Sequence, residues 1–128
     1  MSLIGQIAAG RQLLRAGQFL NSRGRFNYDP LHARQLLLEA QQGRCACCDR
    51  LLMSRWRYPR SGDRDSIDHV WPQGYGGPDC LGNLLLLTTN CNGRKGGRWP
   101  DVYQVEVLSC VNRALGWSTP RIPYLQAA

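Results

Sequence analysis

The side chains of this sequence best suited to chemistry lie in two short stretches. The first is Asp68-His69-Val70-Trp71-Pro72. An imidazole with an ordinary pKa of about 6.5 can take a proton from water near neutral pH, and a neighbouring carboxylate offers a hard oxygen ligand to a divalent cation. Residues 66–70 are β-like, and Pro72 and Gly74 end the strand. Neighbours on a flat strand face opposite sides, so Asp68 and His69 share a site only where the strand twists or stops. The second histidine, His32, lies on a helical stretch near Arg34 and reads as a surface residue.

The second stretch holds Cys45, Cys47 and Cys48, three of the six cysteines within four residues; Cys80, Cys91 and Cys110 are the others. Such crowding suits a metal knuckle better than a disulfide framework, and the N-terminus does not read as a secretion signal. Reduced thiols and a cytoplasmic location follow as expectations. The longest apolar runs, such as Leu84-Leu85-Leu86-Leu87, are far short of the roughly 20 residues a membrane span requires, so no membrane partner is expected.

Charge points to a polyanion. The chain carries 16 basic and 9 acidic residues, a net charge of +7. All of the excess falls in residues 1–60, with ten basic and three acidic, against six of each in 61–128. Fifteen of the sixteen basic residues are Arg, whose planar fork suits phosphate, although codon bias in a GC-rich genome gives the same enrichment. Between Arg44 and Arg60 the guanidinium groups of Arg50, Arg55, Arg57 and Arg60 alternate with the rings of Trp56 and Tyr58. That mixture pairs with phosphates and stacks on bases; the alternative is a solvated loop.

The elements that must position these residues are short. Residues 3–20 and the stretch from Asp29-Pro30 to Gln42-Gly43 have helical periodicity, with a polar Gly-containing hinge at Asn21–Arg25, and together make an N-terminal helical arm over residues 1–42. The segments Ser66–Val70 and Leu84–Thr88 form an antiparallel pair joined by a long loop rich in Gly and Pro. A short helix follows Asn90, and a firmer one runs from Pro100-Asp101 to Gly116.

Taken in order, Cys45-x-x-Cys48, Asp68-His69-x-x-Pro72, Gly76-Gly77, Asn83-Leu84 and Cys91-Asn92-x-x-Lys95 resemble the pattern of the HNH, or ββα-metal, nucleases. The resemblance covers roughly residues 43–97. It implies an α+β fold with a small ββα-metal core, flanked here by the N-terminal arm and a C-terminal helix, residues 43–128 forming the nuclease domain. It further implies a DNA endonuclease, acting most naturally on double strands, in which His69 is the general base and Asn83 orients it across the loop. Asn92 stands where the family's final His does, an HNN variant, and with Asp68 would hold one Mg²⁺ or Mn²⁺. Lys95, on the same helical face as Asn92, would reach phosphate. Zinc-binding members of the family carry a second Cys-x-x-Cys pair, which here would need cysteine at both 88 and 91, but position 88 is Thr. Cys45, Cys48 and Cys91 therefore line up for a structural Zn²⁺ without a fourth thiolate. Cys47 or Cys80 fills the gap, or zinc is absent and the cysteines are small buried apolar groups. The competing expectation for the whole chain is a nucleic-acid-binding or accessory module of a phage or mobile-element machine that keeps the fold without catalysis.

Overall fold

A computed structural model describes residues 28–123 of the chain. The periodic stretch 3–20 and the hinge at Asn21–Arg25 lie outside the described residues. Among the described residues, three α-helices and a two-stranded antiparallel sheet make an α+β architecture.

Helix α1 spans Pro30–Ala40. Proline at its start has no N–H to leave unpaired, and the Asp29 side chain accepts the Leu31 N–H at 3.0 Å. Its buried face is Ala33, Leu36 and Leu37. This part of the expected arm is built into the core, not appended to it. Just beyond the helix the Gln41 amide mimics a strand, giving and receiving a bond at 2.8 Å with the backbone O and N of Leu86. A free edge of the sheet is thereby paired.

Strands β1, Asp65–His69, and β2, Leu84–Thr88, pair from Asp65 opposite Thr88 to His69 opposite Leu84. All four leucines of β2 are fully buried, with α1 and the helix after the strand both packed on it. That helix, α2, spans Thr89–Lys95. The last helix, α3, spans Val102–Leu115, with a reciprocal capping box between Asp101 and Gln104 and Gly116 in the left-handed conformation at its end. It buries Leu108, Val111 and Leu115 against the same core as α1 and β2. No helix among the described residues is long and apolar enough to cross a membrane.

Two glycines allow the loop between the strands to close. A side chain at Gly77 would overlap the Trp71 carbonyl, and one at Gly82 would overlap the Ser118 carbonyl. Close backbone approach, which only glycine permits, thus folds the loop onto the end of β1 and docks the segment after α3 against it.

Candidate active site

His69 ends β1. One more ladder bond, from the Val70 N–H to the Asn83 carbonyl at 2.9 Å, carries the strand pairing to its limit. Val70 is fully buried, so the strand's alternation turns His69 to the opposite, partly open side. There its Nε2 lies 2.9 Å from Asp79 Oδ1. The same oxygen accepts the hydroxyl of Tyr28 at 2.5 Å. Neither Asp79 nor Tyr28 was legible as a site residue: one sits in an irregular loop and the other precedes α1, and nothing in their spacing points to His69.

Asn83 does not touch His69 directly. It is fully buried, accepts the Trp71 N–H, and donates to the carbonyls of Trp71 and Pro78, each at 2.9 Å. One side chain thus ties together the two ends of the loop that carries Asp79. Asn112 of α3 holds the preceding turn by donating to the Gly82 carbonyl at 2.7 Å. Asn83→Ala leaves several buried backbone groups unpaired, and we expect a loss of about 2–4 kcal/mol in denaturant unfolding. A loss under about 0.5 kcal/mol, the level of ordinary surface changes, would mean that the loop is fixed by other contacts.

On the buried side of β1 the structure departs from expectation. Lys95 does not reach outward to phosphate. It is 8% exposed, and its ammonium lies 2.9 and 3.0 Å from the two carboxylate oxygens of Asp68. It also donates to the carbonyls of His69 at 3.1 Å and Val70 at 3.2 Å. Burial pushes the Asp68 carboxyl up, and the ammonium works against that shift. Asn92 donates through its amide nitrogen to Ser66 Oγ at 3.0 Å and to the Ile67 carbonyl at 3.3 Å. Lys95 and Asn92 together rivet α2 across the strand that bears His69. The carboxylate of Asp68 and the amide oxygen of Asn92 are the right donors for Mg²⁺ or Mn²⁺. An ion on Asp68 would compete with the Lys95 ammonium for the same carboxylate. The neighbouring acids do not join them, since Asp63 pairs with Arg50 at 3.0 Å and Asp65 with the largely buried Arg34 at 3.2 Å.

The cysteines separate into two sets. The sulfurs of Cys45, Cys48 and Cys91 lie within 4.8 Å of one another, a spacing that allows a shared metal ion, whereas Cys80 lies in the loop between the strands. Backbone N–H groups of Thr88 and Cys47 point at the Cys45 sulfur from 3.2 and 3.4 Å, and the Arg94 guanidinium lies 3.3 Å from that of Cys91. Burial opposes ionisation of Cys91, but hydrogen bonds from Thr88, Arg94 and the other two thiols overcome it and bring the thiol down to about 7. Cys47 is not one of that group, and its thiol is pushed up to about 11, first by burial and then by its hydrogen bond to Cys91. Thr88 has a different duty from a fourth thiolate. Its hydroxyl caps α2, accepting the Cys91 N–H at 3.1 Å.

In the Arg-rich segment, Arg55 lies 5.5 Å over the Trp56 ring and Arg57 5.8 Å over the Tyr58 ring. Trp56 is 74% exposed, so this is an open cationic and aromatic surface; Arg60 is exposed beside it. Arg50, bound to Asp63, is the member of the group already neutralised.

No protein-family model matches this chain, and no curated protein is significantly similar to it.

Proposed function

We propose that this chain is an endonuclease of the HNH type that hydrolyses DNA phosphodiester bonds with His69 as general base. The observation that carries this proposal is the riveting of α2 to β1 through Asn92 and Lys95, with His69 emerging at the strand's end beside a loop braced by Asn83. Strand, loop, strand and helix thus brace the one strand that ends in His69 with residues far apart in sequence. His69 takes a proton from water, the hydroxide attacks phosphorus, and the bond to the 3′ oxygen breaks, leaving a 5′-phosphate and a 3′-hydroxyl. Asp68 and Asn92 are the residues that would hold Mg²⁺ or Mn²⁺, which when bound neutralises charge on the phosphate and leaving oxygen. Arg55, Arg57 and Arg60 supply the electrostatic surface for the DNA backbone, double-stranded in the first instance.

Plasmid nicking by the purified protein, with Mg²⁺ or Mn²⁺ and with chelator, tests the activity. Cleavage abolished by chelator is expected. One observation favours the second reading, a binding module without catalysis: Asp68 already has a cation in Lys95. DNA binding with no cleavage under any divalent metal would select it.

The cysteine cluster we assign to structural zinc, because soft thiolates suit that ion better than Mg²⁺ and the cluster is separate from His69. Elemental analysis should find about one zinc per chain, three thiolates being a usual complement short of one ligand. Less than about a tenth of a zinc per chain would leave the cysteines as core residues.

A further inference from the structure

The loop residue Asp79 shares one carboxylate oxygen between His69 and Tyr28, and this fixes more than a contact. An ionised carboxylate has no proton to give, so the hydrogen between Asp79 Oδ1 and His69 Nε2, 2.9 Å apart, resides on Nε2. A neutral imidazole has only one ring proton. With that proton on Nε2, Nδ1 keeps its lone pair. Both supports of the carboxylate are themselves anchored. Tyr28 stands two residues before α1, whose Ala33, Leu36 and Leu37 are core, and Asp79 follows Pro78, whose carbonyl accepts from Asn83. The Tyr28 hydroxyl is pushed up by burial and by its bond to Asp79, so it remains a donor to that oxygen.

We propose that Asp79 is a positioning residue that holds His69 as its Nε2–H tautomer and so assigns Nδ1 as the atom that takes the proton from water. The inference rests on the hydrolytic function proposed above. In the step it serves, an O–H bond of water breaks and its proton passes to Nδ1, the hydroxide oxygen bonds to phosphorus, and the leaving oxygen departs and is protonated by solvent. The imidazolium so formed carries N–H groups on both nitrogens, one of them against the Asp79 carboxylate, which stabilises the new charge better than a neutral acceptor would. Tyr28 holds the carboxylate in turn.

The chain has only two histidines, so nitrogen NMR of the full-length protein with labelled histidine, using His32→Gln for assignment, reads the tautomer of His69 directly. At about pH 8.5, two units above the ordinary imidazole range, the parent should show Nε2 protonated, and Asp79→Ala should show both tautomers. On a DNA substrate, Asp79→Ala should lower kcat by between about ten- and a hundredfold, the cost typical of an orienting partner, with KM changed by less than about threefold. Asp79→Asn is nearly isosteric but lacks the charge, and its amide can turn an NH2 donor toward Nε2, so the Nε2–H form should no longer dominate and kcat should fall, which keeps the test open where the Ala variant folds poorly. Tyr28→Phe should cost less than Asp79→Ala. A parent protonated at Nδ1, or an Asp79→Ala variant with parental kcat and unchanged imidazole signals, would overturn the assignment. The NMR measurement needs no activity. A parent with the expected tautomer that cleaves no nucleic acid would leave the pairing intact and remove the reaction instead.

Discussion

His69→Ala is expected to lower DNA cleavage by roughly 10²–10⁴-fold, the contribution of a positioned general base, while DNA binding survives. The imidazole is only partly exposed and its hydrogen bond goes to a surface loop residue, so its removal leaves the core and α2 in place. The structure separates it from the metal-ligand candidates: Asp68 and Lys95 lie on the buried side of β1, and His69 turns to the other. Excess Mn²⁺ should therefore not restore the variant, since more metal supplies no proton acceptor. Asp68→Ala, by contrast, should recover in part with Mn²⁺ if its carboxylate holds the ion. His69→Ala protein cleaving at the parental rate, in a preparation free of host nuclease, would refute the mechanism.

The second large effect concerns stability. Lys95→Met removes the cation from a carboxylate that is 5% exposed, and breaking a buried pair from one side costs about 3–5 kcal/mol. The carbonyls of His69 and Val70 lose a donor as well. The deficit should depend on pH, with a definite sign. Burial raises the Asp68 carboxyl, and without Lys95 only the weaker charge effect of His69 opposes it, so its folded pKa rises further above the unfolded value of about 3.9. A group shifted in that direction contributes stability that is present below the unfolded pKa and lost as pH rises through the folded one. Lys95→Met should then unfold more readily at neutral than at mildly acid pH, relative to the parent, in urea titrations at both. Adding Asp68→Asn should return much of the loss, because no unpaired charge remains. A Lys95→Met variant within about 0.5 kcal/mol of the parent at neutral pH would show the pair to be worth no more than a surface one. If Lys95 and a divalent ion do compete for Asp68, the folded variant should also need less Mg²⁺ for half-maximal cleavage.

The local elements are legible in the order of the amino acids. Asp29-Pro30 starts α1, the Asp101–Gln104 box and Gly116 bound α3, and an apolar run of four leucines is a strand buried on both faces. These follow from nearest-neighbour chemistry: a capping side chain, a proline without an N–H, a glycine free to take a positive φ. The grouping of Cys45, Cys48 and Cys91 was also legible, since thiols are few and their spacing is distinctive.

The partners of these side chains depend on packing. Lys95 and Asp68 are 27 residues apart, and spacing on a helix says which face a lysine shares with Asn92 but not whether that face meets solvent or a strand. Packing of α2 on β1 turned the expected phosphate ligand into a buried counter-ion. Thr88 looked like a missing zinc ligand because sequence registers identity, whereas in space its hydroxyl caps a helix. Asp79 and Tyr28 are 51 residues apart and meet on one oxygen because a glycine-closed loop and the approach to α1 converge there. Such a meeting leaves no periodic trace in the chain, since it depends on how two irregular segments are carried by elements that pack elsewhere.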